Sequence, residues 1–132
     1  MIAVDTNLLV RLATNDVPAE RDAVATLLGT QEALILKTVL LETEWVLRSR
    51  YGYSAAQSMA FFQYLLALPS MTFEDAEAVR AAIGMTGAGI DFADAMHLAS
   101  AGSVPLATLD RKLQRRAVKI KGVKVQLVRV RH

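Results

Sequence analysis

The chain contains no cysteine. That excludes disulfides, thiol nucleophiles and thiolate metal sites, and it suits a reducing compartment. Histidine is scarce: His97 and His132 only, the second being the last residue. His97 lies one helical turn beyond Asp94, where it can approach whatever Asp94 does, and reads as packed beside the core. No G-x-S-x-G elbow and no H-E-x-x-H helix occurs. The stretch GMTGAG has neither the G-x-G-x-x-G order nor a Walker lysine, and reads as a helix-to-helix loop. No apolar run is long enough to span a bilayer. No basic segment followed by an apolar stretch and a small-residue cleavage site opens the chain. These absences lead us to expect a soluble, cytoplasmic protein with no membrane partner.

Acids are missing from one end. Between Arg111 and His132 there are nine basic side chains and no acid, while the rest carries six basic and 13 acidic groups, a net of −7. Such a split suits a polyanionic partner beside a cation-binding centre. With 132 residues and 53% apolar content, the chain is long and apolar enough for one folded domain over residues 1–132.

The pattern along the chain alternates. IAV reads as a short buried strand, and NLLVRLA as a helix. Asp16 is placed to cap a second helix, with Pro18 in its first turn and Gly29 at its end. ALIL is a second strand. Thr38 is placed to cap the helix VLLETEWVLRSR, and Ser54 to start AAQSMAFFQYLLAL, which Pro69 stops. MTF is a third strand, and EDAEAVRAAIGM a helix with an acidic first turn. DFADAMHLASAG is a helix closing on Gly102, VPLATLD a strand, RKLQRRAV a short basic helix and VKVQLV a last strand. Strands alternating with helices predict an α/β layer structure with a mostly parallel sheet. In such sheets ligands bind beyond the carboxyl ends of the strands.

Acids therefore matter where strands end. Asp5 closes the first strand and Asp110 a later one. Glu42 lies near the start of the helix after the second strand, and Asp94 in the first turn of the helix that opens at Asp91. Each has a structural reading. Asp5 and Asp110 can cap the helices that follow them, Asp91 and Asp94 suit a positive helix end, and Glu42 can be a surface acid. Gathered at one edge, however, four carboxylates repel unless a cation sits among them or some are protonated. An all-oxygen set suits Mg²⁺ or Mn²⁺. Glu42 and Glu44 point to opposite helix faces, so only one can face such a site. Asp91 and Asp94 can share a face, with Asp91 either a cap or an auxiliary acid. Thr6, Asn7 and Thr108 are placed to orient the carboxylates. Carboxylates around divalent ions hydrolyse phosphodiesters without a covalent nucleophile.

At this point the residues resemble a known family. VDTNLLVRLATND is similar to the opening motif of PIN-domain ribonucleases, and specifically of VapC toxins from bacterial toxin–antitoxin pairs. VLLETEWVLRSRYG resembles their second motif, DFADAMHLASA the third and LATLD the fourth, in order and across nearly the whole chain. The resemblance implies a three-layer α/β/α sandwich with a parallel five-stranded sheet, and Mg²⁺- or Mn²⁺-dependent endoribonuclease activity. It implies a homodimer held inactive by a cognate antitoxin, whose segment, often with a basic side chain, fills the acidic site. By position, Asp5, Glu42, Asp94 and Asp110 match the family's four catalytic acids, with Asp5, Glu42 and Asp94 as the metal ligands. Glu44 does not match. Asp91 matches an extra acid of some members, and Thr6 and Asn7 the polar pair after the first acid. The substrate would be RNA, held by Arg111, Lys112, Arg115 and Arg116.

Three other readings compete. A signalling receiver needs an acceptor aspartate after the third strand and a lysine after a later one, and no aspartate occurs between Asp22 and Asp75. A D-x-D phosphatase has Asn7 in its second place. A PIN-like RNA- or protein-binding module without catalysis remains the alternative. Within YGYSAAQSMAFFQYLLAL, the aromatics Tyr51, Tyr53, Phe61, Phe62 and Tyr64 read mostly as core, with an excess for a dimer or antitoxin surface.

Overall fold

The computed structural model describes residues 1–131; His132 lies outside them. Helices and strands alternate as the pattern requires, and the chain divides into two compact units, Met1–Ala76 and the residues from Glu77 onward.

The first unit holds β1 (Ile2–Ala3), α1 (Thr6–Ala13), α2 (Pro18–Leu28), β2 (Ala33–Ile35), α3 (Lys37–Tyr51), α4 (Ala55–Ala67) and β3 (Met71–Phe73). The strands pair in the order β1-β2-β3, all parallel. Ala33 of the central strand stands between Ile2 and Met71. Parallel neighbours need a crossover, here supplied by α1 and α2, then by α3 and α4. β2 buries Ala33 and Ile35 completely, as a central strand should. Leu9, Leu40, Leu47, Phe62 and Leu65 from the surrounding helices are also fully buried. Each contributes about 1.5–3 kcal/mol of apolar transfer.

Local signals set the helix ends. Pro18 opens α2 at its first position. Ser54 and Gln57 form a reciprocal capping box on α4. Gly52 ends α3 at φ 69°, a left-handed conformation that glycine adopts without a Cβ clash. Two expected caps are absent. Asp16 accepts from the Thr14 and Tyr51 hydroxyls at 2.9 and 2.8 Å instead of capping α2. Thr38 lies inside α3, which starts at Lys37; the amide of Lys37 donates to the Glu74 carboxylate at 2.8 Å, so the cap comes from the end of β3.

The second unit holds α5 (Ala76–Gly87), α6 (Phe92–Ala101), β4 (Leu106–Thr108), α7 (Arg111–Ala117) and β5 (Val125–Leu127). β4 and β5 pair in parallel with Leu106 opposite Val125. The α7 segment is the short crossover between them. Among the described residues five strands are present, all in parallel pairing, as a three-stranded and a two-stranded ladder. Of the aromatic-rich segment, Phe62 is buried whereas Tyr64 is 58% exposed. Among the described residues no helix is long and apolar enough to cross a membrane.

Candidate functional site

Parallel pairing sends the ends of β1, β2 and β3 to one edge of the first unit. Val4 is buried and Asp5, immediately after it, is exposed. Asp5 holds extended backbone at the start of α1, and its Oδ1 accepts from the Thr6 amide at 2.7 Å. Thr6 is itself buried, and its hydroxyl donates to Oε1 of Glu42 on α3 in a short hydrogen bond. One threonine thus bonds both acids, the first through its backbone and the second through its side chain. Asp5, Thr6, Asn7 and Glu42 line a single cavity of about 300 Å³ together with Arg11, Trp45, Arg50 and Tyr51. Asn7 lines it without a hydrogen bond to either acid among the described residues. Glu44, two residues on from Glu42, is buried and pairs with Arg48 at 3.0 Å.

Arg11 is fixed at the border of this cavity. It donates to Glu20 at 2.7 Å and to the Tyr51 hydroxyl at 3.3 Å, and lies 3.5 Å from Asp16. Its bond to Glu20, then that to Tyr51, holds the guanidinium more firmly protonated than usual. The Tyr51 hydroxyl, then that of Thr14, keeps the Asp16 carboxyl below the ordinary carboxylate range.

The second unit gathers the other acids. Asp91 occupies the cap position of α6 but makes no side-chain capping bond. Asp94 is in the first turn of the same helix. Asp110 precedes α7 and caps it, accepting from the Leu113 amide at 3.0 Å. Asp91, Asp94 and Asp110 line a cavity of about 170 Å³ with Lys112 and Arg116. Burial raises the Asp94 carboxyl above its ordinary value, and the charges of Asp91 and Asp110 raise it further, while His97 acts the other way. His97 is exposed, not packed in the core: α6 turns it outward while burying Ala95, Met96 and Leu98. Thr108 acts on the turn, not on a carboxylate: its hydroxyl accepts from the Asp110 amide at 3.0 Å. Arg116 donates to the Gly89 carbonyl at 2.7 Å. Of the four cations expected to hold RNA, Lys112 and Arg116 border the acids, while Arg111 and Arg115 line a different cavity with Leu127 and Arg129.

Among the described residues no group of three or more acids and histidines is already drawn in to hold a metal ion. The donor chemistry nonetheless fits a hard divalent cation. Asp5 and Glu42 present carboxylate oxygens to one cavity of the first unit, and Asp91, Asp94 and Asp110 present theirs to a cavity of the second. Sequence reasoning missed Arg11, Trp45 and Arg50 around the first cavity. The available signal was helical spacing: Arg11 is four residues beyond Asn7, and Trp45 three beyond Glu42.

The family model for the PIN domain matches residues 2–119. No curated protein matches the chain. Among solved structures, VapBC2 from Rickettsia felis, bound to a DNA fragment from its promoter, is similar over 96% of this chain and 98% of that chain, at 17% identity and a TM-score of 0.39.

Proposed function

The chain belongs to the PIN-domain family, whose members are generally nucleases, and from that premise we propose that it is a Mg²⁺- or Mn²⁺-dependent endoribonuclease, the VapC-type toxin of a type II toxin–antitoxin pair. The observation that carries the reading is the joining of Asp5 and Glu42 by Thr6 at one cavity, from two of the motifs that resemble the VapC set. A single family model running across both units supports one PIN domain over residues 1–132.

In this reading the metal ligands are Asp5 and Glu42 in the first unit and Asp94 in the second, with Asp110 and Asp91 adding negative charge beside Asp94. When bound, a divalent ion lowers the pKa of a water and stabilises the leaving oxygen of a phosphodiester. The protein's own part is orientation. Thr6 fixes one oxygen of Glu42 through its hydroxyl and one of Asp5 through its amide, which would orient both carboxylates toward an ion. Lys112 and Arg116 offer cations to the phosphates beside Asp94, with Arg111 and Arg115 extending the basic stretch. The partner is a cognate antitoxin whose basic side chain occupies the acidic site, the toxin acts as a homodimer, and both work in the cytoplasm.

The test uses protein stripped of any partner. It cleaves RNA with Mg²⁺ or Mn²⁺ and not with EDTA, and Asp5→Asn abolishes cleavage while the circular dichroism spectrum is retained. Equal cleavage by the variant, or indifference to chelation, overturns the assignment. Metal-independent RNA binding without any cleavage identifies a binding module instead.

A further inference from the structure

The cavity that holds Asp5 and Glu42 contains more than acids. Along α3, Glu42, Trp45, Val46 and Arg50 are spaced three, four and eight residues apart, so they share one face. Asn7, Val10 and Arg11 repeat that spacing on α1, and both stripes line the same cavity. Trp45 is 50% exposed although its indole is the largest apolar surface available. Arg50 has no ion pair or side-chain hydrogen bond among the described residues, whereas Arg11, the other guanidinium there, is held by Glu20, Asp16 and Tyr51.

We propose that this α1–α3 cavity is a nucleotide subsite in which Trp45 stacks on an unpaired base and Arg50 pairs with a neighbouring backbone phosphate. The inference rests on the ribonuclease reading and names how that site holds its strand. Eight helical residues place Arg50 about 12 Å along the axis from Glu42, the reach of a few nucleotides. A strand whose scissile phosphate lies at the acids therefore extends past the indole to the guanidinium. Every base offers a π-face, so stacking on Trp45 gives affinity with little sequence preference. A peptide could also cover an exposed indole. The continuity of indole and free guanidinium with the two carboxylates of one cavity favours the strand that those carboxylates would cut.

Trp45 is the only tryptophan in the chain, so its emission reports this position alone. The full chain carrying Asp5→Asn is titrated with short oligoadenylate and oligouridylate. Saturable quenching is expected. By anisotropy of labelled RNA, Trp45→Ala weakens binding about ten-fold and Trp45→Phe less. Arg50→Gln weakens it and makes the salt dependence shallower by about 0.7 in log–log slope, and Arg50→Lys restores that slope. In the active chain the same changes raise KM and leave kcat nearly unchanged. The proposal is overturned if RNA binds to the Asp5→Asn chain without altering Trp45 emission. It is also overturned if Trp45→Ala and Arg50→Gln bind RNA as tightly as their parent, including the case where they lose only an antitoxin. Cleavage without a Trp45 signal removes the subsite and spares the ribonuclease; Trp45-dependent RNA binding with no cleavage does the reverse.

Discussion

The hydroxyl of Thr6 donates to the carboxylate of Glu42, 36 positions away in the chain, while the amide of the same residue donates to Asp5. A buried residue is thereby the common support of two acids that are themselves exposed. Supports of this type fix which carboxylate oxygen faces a ligand. Thr6→Val keeps the shape and removes the donor. Cleavage should fall about 10–100-fold, the usual effect of losing such a partner. Stability should change by about 1 kcal/mol or less, because Glu42 can turn to water. Unaltered cleavage with an unaltered fold would show that the bond is incidental.

Asp94 makes an opposite trade. Its carboxyl is raised by burial and by the charges of Asp91 and Asp110. A carboxyl raised in the folded state binds its proton more tightly there than in the unfolded chain. Stability from this group is therefore present at acid pH and falls as pH rises from the ordinary carboxylate value of 3.8 through the raised one. Asp94→Asn should thus stabilise the metal-free protein at neutral pH, read as a higher Tm than the parent's. It should also abolish cleavage. A thermal melt in EDTA that shows the variant less stable than the parent at pH 7, or equally affected at pH 3, contradicts the sign.

Metal addition supplies a third check. An ion that binds only the folded chain stabilises it by mass action, about 2.7 kcal/mol at 100 times its Kd, or about 10 °C for a chain of this size. Mn²⁺ should raise Tm in the parent and far less in Asp5→Asn. Identical melts with Mn²⁺ and with EDTA would remove the ion from the account.

How much of this was legible in the sequence divides along a physical line. Period and punctuation were readable. The break in apolar pattern at Asp5-Thr6-Asn7 marks the β1–α1 junction, and the two-residue offset of Glu42 and Glu44 separated an exposed acid from a buried one. Ser54 with Gln57 announced the start of α4. Long-range partners were not readable. Asp16 was free to cap α2 by position, yet Tyr51, 35 residues on, takes one of its oxygens. Thr38 was displaced as a cap because Glu74 reaches the Lys37 amide from β3. The inward reading of His97 fails because a helix pattern gives a face only when its neighbours are known. The exposure of Trp45 is illegible for the same reason: nothing local says that an aromatic residue in an apolar helix will be left uncovered.

Asp110 combines a structural and a chemical task, and two substitutions separate them. One of its oxygens accepts from the Leu113 amide and caps α7, while the residue also lines the cavity with Asp91 and Asp94. Asparagine retains an oxygen that can cap, and alanine does not. Asp110→Ala should lose about 1 kcal/mol, within the usual range for a removed cap. Asp110→Asn should melt within about 0.5 kcal/mol of the parent, because the cap survives and a repulsion with Asp94 is relieved. If the charge of Asp110 serves the metal centre, Asp110→Asn should cleave RNA at least about ten-fold more slowly despite its intact fold. Full activity in Asp110→Asn, with loss in Asp110→Ala matched to its lower Tm, would reduce Asp110 to a helix cap.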